Sequence, residues 1–282
     1  MFIPALQKYI EEQLTAQGWD VQEAAATARI LLAHKLDISL SHLPLMHKMQ
    51  LEIADISPEL ARLAAGEPLQ YVIGETEFMG LVLYCRPSAL IPRGDSEAVA
   101  EAAIELMKNA ESPCIADICT GSGAYALALA DALPKSHIDA VDISADALNL
   151  AENNAARLGL TERIHFYQGD LLEPLLRLGQ SYDMLVSNPP YIPSDQLAHL
   201  DKQVQHEPAI ALDGGADGLY FYRRLAADAG KLLKSGGWLV VEHGWDQAAD
   251  VSRIMAGGGL ETCRVVQDYG GRERGIICRK QY

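Results

Sequence analysis

The spacing of apolar positions divides the chain into three stretches with different predicted structures. Up to about residue 75, apolar side chains recur at the intervals of an amphipathic helix, and glycine is scarce. Gly18, Pro44 and Pro58 interrupt this pattern and separate its helices. The helical positions include Ile10, Leu14, Val21, Ala25, Ile30 and Leu31. We therefore predict a small helical domain over residues 1–75.

The second stretch has the alternation of short strands. Phe78, Leu81, Leu83 and Tyr84 are apolar positions placed on either side of Gly80. This pattern predicts a β-hairpin linker over residues 76–97, which joins the helical domain to the rest of the chain.

From residue 98 onwards, apolar runs alternate with helical stretches, which predicts an α/β domain with a parallel sheet covered on both faces. The predicted strands are 114–117, 138–142, 164–167, 184–187 and 238–242, the last following a turn at Gly236 and Gly237, and the predicted helices are 124–133, 145–158 and 219–233. Two final runs, 262–266 and 275–279, are separated by a short glycine-rich turn, so we expect an antiparallel hairpin at the sheet edge. This domain extends over residues 98–282.

Composition and charge narrow the possible partners and compartment. Hydrophobic residues make up 49% of the 282 residues and charged residues 22%, as in ordinary globular proteins. The formal charge of −15 repels phosphate backbones and anionic lipid, so nucleic acid and membranes are poor partners. Five cysteines without a C-x-x-C pair fit reduced thiols better than disulfides or a zinc site, and we expect no metal. No apolar run approaches the ~18 residues of a membrane span, and the start does not resemble a signal peptide, so we expect a cytoplasmic protein.

A glycine-rich loop follows the first predicted strand of the α/β domain. Residues 117–123 read Asp-Ile-Cys-Thr-Gly-Ser-Gly and lead into a predicted helix, where unpaired N–H groups can meet a ligand. Asp142 ends the next strand, where a carboxylate can accept both hydroxyls of a ribose. A nucleoside-containing cofactor fits this arrangement, but G-x-G-x-x-A from Gly121 also suits a dinucleotide, and a turn with only a packing role stays open. Asp170, after the third strand, either accepts from an adenine amino group or caps the next turn.

Asn188, Pro189, Pro190 and Tyr191 end the fourth predicted strand, at the sheet edge where open α/β folds bind ligands. The lone pair of an amide or aromatic amine is delocalised, so such a nitrogen must be oriented rather than deprotonated. The Asn188 side-chain oxygen and the Pro189 carbonyl can each accept one N–H of an NH2 group, and the Tyr191 ring can pack over the planar group. The alternative is a proline turn that ends a strand.

An NH2-orienting tetrad beside a nucleoside-cofactor loop suggests methyl transfer from S-adenosylmethionine. The methyl carbon of this cofactor is already electrophilic, so the protein needs mainly to align the two reactants.

Several blocks together resemble the peptide chain release factor glutamine N5-methyltransferase family. Residues 91–97 are similar to its I-P-R-P-D-T-E, residues 117–123 to its D-L-G-T-G-S-G, and residues 188–191 to its N-P-P-Y. Residues 207–212 resemble its E-P-x-x-A-L segment, and residues 268–274 its closing D-x-x-G-R-D-R. The resemblance covers nearly the whole chain and implies a helical substrate-recognition domain, a hairpin linker and a class I S-adenosylmethionine-dependent, Rossmann-like catalytic domain.

The resemblance also implies roles for individual residues. Asn188 and Pro189 would be catalytic, and Asn188, Pro189, Pro190 and Tyr191 would hold the glutamine of the Gly-Gly-Gln loop of class I release factors. The cofactor would be held by Cys119, Thr120, Gly121, Ser122, Gly123, Asp142, Asp170, Leu171 and Asn188. This implies a role in translation termination, and we expect a monomer.

Differences from the blocks of the similar family matter at three residues, and other functions stay open. Cys119 stands where the family has a glycine, so we expect this position not to need a positive φ. Gly94 and Ser96 stand where the family has proline and threonine, in the block that distinguishes release-factor enzymes from ribosomal-protein relatives. Glutamine methylation of a ribosomal protein therefore stays open, as do adenine N6-methylation of nucleic acid and a binding protein that retains the loop without turnover.

Overall fold

The computed structural model describes residues 1–281, so Tyr282, the last residue of the predicted catalytic region, lies outside the described residues. The helices are α1 (Ile3–Ala16), α2 (Val21–Lys35), α3 (Ser57–Ala64), α4 (Leu69–Ile73), α5 (Gly94–Met107), α6 (Ala124–Ala132), α7 (Ala145–Leu158), α8 (Glu173–Leu178), α9 (Lys202–Gln205), α10 (Tyr220–Leu232) and α11 (Ala248–Gly257). The strands are β1 (Glu75–Phe78), β2 (Leu81–Tyr84), β3 (Cys114–Ile118), β4 (His137–Asp142), β5 (Ile164–Gln168), β6 (Tyr182–Ser187), β7 (Leu233–Glu242), β8 (Leu260–Gln267) and β9 (Glu273–Lys280). Short 3-10 helices cover Leu40–Met46, Ile53–Asp55, Thr161–Arg163, Ser194–His199 and Ala209–Ala211.

The chain forms two compact units. The first contains Met1–Glu75 together with Asp201–His206, a segment that the sequence pattern did not associate with it. Its core is apolar and includes Ile3, Leu6, Ile10, Leu14, Leu31 and Leu32. Val21, predicted on the apolar stripe, is instead 68% exposed, because it is the first residue of α2 after the Asp20 cap. None of the helices within residues 1–281 combines the length and apolar character needed to cross a membrane.

The second unit contains Thr76–Leu200 and the chain from Glu207 onwards. β1 and β2 form a two-stranded sheet of their own, and the other seven strands form one sheet in the order β5-β4-β3-β6-β7-β9-β8. The pairs β3–β4, β4–β5, β3–β6 and β6–β7 are parallel. The pairs β7–β9 and β8–β9 are antiparallel, as the sequence predicted.

Apolar residues fill both faces of this sheet. On one face, Ile115 and Val186 pack with α5 and α6, and on the other, Ile118 and Leu185 pack with α10 and α11. Each strand therefore contributes to two cores, which explains why the strands read as short continuous apolar runs.

Beyond residue 75, four helices and one strand differ from the sequence-based prediction. Helices α5, α8, α9 and α11 were not predicted, and α5 begins at Gly94, so the predicted boundary between residues 97 and 98 falls inside a helix. β7 begins at Leu233, five residues before its predicted start, and runs through the glycine pair that suggested a turn. An irregularity in the β6–β7 register absorbs these glycines, since Tyr182 pairs with Leu233 and Met184 with Trp238.

The strand order reverses between β3 and β6. From β3 the chain proceeds outwards to β4 and β5, then returns to place β6 on the other side of β3. Open α/β sheets bind ligands outside the carboxyl ends of the strands at such a reversal. The glycine-rich loop follows β3 and the Asn-Pro-Pro-Tyr tetrad follows β6, so the fold places both beside this position.

Candidate active site

The side chain of Asp117 holds the glycine-rich loop in place. It is a fully buried carboxylate near the end of β3. Its Oδ2 atom accepts hydrogen bonds from the Thr120 hydroxyl at 2.6 Å and from the Ala126 N–H at 3.1 Å. The carboxylate thus ties the loop to the first turn of α6. Burial is the main reason that the pKa of Asp117 is raised, to about 7.

Cys119 corrects an expectation from the sequence. Its φ is +61°, so the position that holds a glycine in the similar family does require the left-handed region. Gly121 has a φ of +57° as well. Unlike glycine, Cys119 has a Cβ atom, so this left-handed conformation costs it about 1–2 kcal/mol. Burial also raises the pKa of the Cys119 thiol well above its usual range, so the thiol stays protonated at neutral pH.

Asp142 connects two turns at the end of β4. Its Oδ2 accepts the Gly121 N–H at 2.8 Å and its Oδ1 accepts the Ser144 N–H at 2.9 Å. Ser144 in turn caps α7 by accepting the Ala147 N–H. One carboxylate therefore sets the position of the glycine-rich loop relative to α7, and burial raises its pKa.

Asp170 and Leu171 follow β5. Both carboxylate oxygens of Asp170 accept from Nη1 of Arg224 on α10, at 2.9 and 2.7 Å. The Asp170 side chain therefore forms an ion pair and does not cap the next turn. Leu171 is buried and has a φ of +50°, another left-handed residue without being glycine. Arg224 was missed from sequence because 54 residues separate it from its partner.

The tetrad begins where β6 ends, next to β3. Ser187, the last residue of β6, donates its hydroxyl to the Ile118 carbonyl at 2.7 Å. Among the described residues, the Oδ1 atom of Asn188 is buried and has no hydrogen-bond partner. A buried acceptor left in this state costs about 1–3 kcal/mol, which a ligand with an N–H group would offset.

A single cavity joins the two loops. It is walled by every predicted cofactor residue except Gly123, and of the tetrad by Asn188 and Pro190 but not by Pro189 or Tyr191. Apolar side chains that sequence reasoning missed complete the wall: Phe78, Val141, Ile143, Ile210 and Phe221. The empty space is about 1040 Å³, its open mouth included, which is ample for a nucleoside with an amino-acid arm.

Two further blocks of the sequence meet at this cavity. Arg93, in its wall, forms an ion pair with Glu207, and the Glu207 Oε2 atom also accepts the Ile91 N–H at 2.8 Å. The Glu207 side chain is 1% exposed, and burial raises its pKa. The contact anchors the segment that carries Ile210 and Ala211 into the cavity wall.

The closing block is held by Arg274. Its Nη2 lies 2.7 Å from Asp95 in the first turn of α5, and its Nε donates to Asp268 at 3.0 Å. Asp268 also accepts the backbone N–H groups of Gly270 and Arg272, which together with Arg274 lower its pKa. Arg274 therefore ties the closing block to the first turn of α5.

Asn154 is a structural residue that sequence reasoning missed. It is fully buried on α7, and its Oδ1 accepts the Tyr84 N–H at 2.7 Å. Its Nδ2 donates to the carbonyls of Tyr84 at 3.2 Å and Ser122 at 3.0 Å. The side chain thus ties the hairpin to the glycine-rich loop, and an asparagine inside a helix was the only signal available.

Glu242 and Tyr125 form a buried pair beside the site. Tyr125, whose ring contributes to the cavity wall, donates its hydroxyl to Glu242 at 2.7 Å, while Glu242 itself does not reach the cavity. Burial raises the pKa of both groups.

The cavity has the groups that S-adenosylmethionine requires. Asp142 is a carboxylate suited to ribose hydroxyls, and apolar side chains suit the faces of adenine. The unpaired Asn188 oxygen leaves an acceptor for an incoming N–H group. The residues present therefore fit this cofactor.

Comparisons with known proteins agree with this chemistry. Residues 96–207 match the family model described as Methyltransferase small domain, and residues 5–74 match the PrmC N-terminal domain. Solved structures with a similar fold include a methyltransferase from Pyrococcus furiosus (TM-score 0.54, 16% identity, 72% of this chain and 90% of that chain). The METTL16 methyltransferase domain is similar as well (TM-score 0.52, 19% identity, 72% and 90%).

Curated relatives are much more similar in sequence. The release factor glutamine methyltransferase of Moorella thermoacetica is 47% identical over 221 residues, which is 78% of this chain and 77% of that protein. The protein of the same name from Agrobacterium fabrum is 39% identical over 277 residues, 95% of this chain and 94% of the relative. The chain is an S-adenosylmethionine-dependent methyltransferase and belongs to the release factor glutamine methyltransferase family.

Proposed function

We propose that this enzyme transfers a methyl group from S-adenosylmethionine to the side-chain nitrogen N5 of the glutamine in the Gly-Gly-Gln loop of class I release factors. The proposal includes a role in translation termination, a cytoplasmic location and a monomeric enzyme. Its charge of −15 argues against direct binding to nucleic acid or to a membrane. The names of the curated relatives support the choice of substrate.

One observation carries the proposal: the tetrad after β6 and the glycine-rich loop after β3 contribute to the same cavity at the reversal of the strand order. The Ser187 hydroxyl bond to Ile118 holds the two strand ends together at this point. A group held by the tetrad would therefore meet a cofactor held by the loop.

The predicted cofactor residues would each bind a different part of S-adenosylmethionine. Asp142 would bind the ribose hydroxyls, Asp170 and Leu171 would contact the adenine, and the backbone from Cys119 to Gly123 would approach the amino-acid arm. When bound, S-adenosylmethionine supplies a methyl carbon that its positive sulfur makes electrophilic.

The tetrad would hold and turn the substrate amide. Asn188 Oδ1 and the Pro189 carbonyl would each accept one N–H of the glutamine NH2 group, which directs the nitrogen lone pair towards the cavity. Pro190 and Tyr191 would bound the planar amide. The nitrogen loses its proton after methylation, when it is far more acidic, so orientation is the main requirement, and alignment of this kind contributes up to about 7–11 kcal/mol.

The test is methyl transfer from labelled S-adenosylmethionine to a purified class I release factor. We expect labelling of the wild-type factor and none of a factor whose Gly-Gly-Gln glutamine is replaced by alanine. Asn188→Ala should reduce kcat about 100-fold. As a control, Asn153→Ala, an exposed asparagine on α7, should leave kcat unchanged.

The same assay separates the alternatives. If the release factor with alanine in place of the Gly-Gly-Gln glutamine were labelled as strongly as the wild-type factor, the proposed target would be refuted. Preferential labelling of a ribosomal protein or of naked DNA would favour the other two substrates, and cofactor binding without any turnover would favour a binding protein.

A further inference from the structure

The centre of the tetrad cannot hold itself in place. Pro189 and Pro190 have no N–H group, so the loop forms no backbone ladder at its middle and depends on what holds its two ends. The upstream end is held through Ser187. At the downstream end, the carbonyl of Tyr191 is held by a side chain that neither the sequence blocks nor the proposed mechanism uses.

That side chain is Gln247, just before α11. Its Nε2 atom donates to the Tyr191 carbonyl at 3.1 Å and more weakly to the Gly218 carbonyl at 3.4 Å. Its Oε1 atom accepts the Gly244 N–H at 2.9 Å. The amide thus joins the end of the tetrad to two other loops at the carboxyl edge of the sheet.

Two glycines, Gly214 and Gly218, pack closely against the Tyr191 peptide. A Cβ atom added at Gly218 would lie 2.4 Å from the Tyr191 oxygen and 2.7 Å from Gln247 Nε2. A Cβ at Gly214 would lie 2.7 Å from the Tyr191 carbonyl carbon. A side chain at either position would therefore clash with the Tyr191 peptide, and at Gly218 with the Gln247 amide as well.

We propose that Gln247 is a positioning residue for methyl transfer: by fixing the Tyr191 carbonyl, it fixes the direction in which Asn188 and Pro189 present their oxygens. This inference rests on the proposed function, since it assigns Gln247 to the same tetrad. Gln247 contacts neither the cavity nor the cofactor loop. Its loss should therefore affect alignment and not cofactor binding.

Two substitutions of the full chain test this role. Gln247→Met keeps the length of the side chain and removes both polar atoms. Gln247→Glu keeps the acceptor for Gly244 and removes the donor to Tyr191. The control is Asp246→Asn, which changes the exposed neighbouring residue.

We expect kcat on the release factor to fall about tenfold to a hundredfold in both Gln247 variants, with the Kd of S-adenosylmethionine, measured by calorimetry, within about twofold of wild type. The control should match wild type. A carboxylate facing two carbonyls has a raised pKa, and its protonated form can donate, so the kcat of Gln247→Glu relative to wild type should rise as the pH falls from about 8 to about 6. A general loss of folding would instead weaken the binding of S-adenosylmethionine over the same pH range.

Hydrogen exchange provides a readout that needs no substrate. The Ile192 N–H donates to the Leu212 carbonyl directly after the tetrad, and its exchange should be about three- to tenfold faster in Gln247→Met. Unchanged exchange together with unchanged kcat would overturn the positioning role. Faster exchange in Gln247→Met, combined with no labelling of the release factor by the wild type, would support the role of Gln247 in holding Tyr191 and would overturn the proposed substrate.

Discussion

Replacing Asn154 by leucine tests whether one buried amide holds the hairpin and the glycine-rich loop together. Leucine has a similar size but neither donates nor accepts. The change removes the acceptor of the Tyr84 N–H and the donors to the Tyr84 and Ser122 carbonyls. Asn153, next to it on α7, is the matched control, because its amide is exposed and donates to the Asn149 carbonyl within the same helix.

The magnitude follows from the three lost hydrogen bonds. Each contributes about 0.5–1.5 kcal/mol net, and Ser122 is buried, so its carbonyl gains little compensation from water. We expect Asn154→Leu to lower the free energy of unfolding by about 2–4 kcal/mol. For a unit of this size, that corresponds to a fall in Tm of about 4–16 °C.

Differential scanning calorimetry and urea unfolding measure the effect, with Asn153→Leu measured in parallel. The control should lie within about 0.5 kcal/mol of wild type, as is usual for exposed positions. Equal stabilities of the two leucine variants would show that the Asn154 bonds contribute nothing, and would refute the reasoning from buried polar partners.

Three further predictions concern the loop and the closing block. Arg274→Met should destabilise the protein by about 1–3 kcal/mol in urea unfolding, because it leaves the buried Asp268 without its ion pair, whereas Arg272→Met should have almost no effect. The pKa of Asp117 is raised from its ordinary 3.8 to about 7, so the folded protein binds more protons than the unfolded chain between these values and this group's contribution to stability falls as the pH rises. Asp117→Asn should therefore gain stability relative to wild type from about pH 4 to about pH 7 in thermal melts, and a constant difference would contradict the shift. Cys119→Val should cost about 1–2 kcal/mol more than Cys119→Gly in the same melts, because a β-branched residue is strained at a φ of +61°.

Some features could be predicted because their signals are local. The alternation of strands and helices follows from hydrophobic periodicity, so β3, β4, α6 and α7 lie close to their predicted ranges. The loops that carry the chemistry were identifiable because glycine and proline restrict or free the backbone at each position. Helices α8 and α9 were missed because they have only six and four residues, too few for an apolar stripe to repeat, and α5 was missed because its first turn lies in the stretch assigned to the linker.

The sequence by itself determined the helical first domain, the α/β class of the second and the two loops that the reaction requires, since each depends on the order of neighbouring residues. Only the tertiary structure decided that Cys119 takes a glycine's conformation, that Arg224 pairs with Asp170, and that Gln247 holds Tyr191. These contacts join residues that are up to 56 positions apart, or set a dihedral angle through packing. Local propensity has no information about either, because they exist only once the strands have been ordered around β3 and β6.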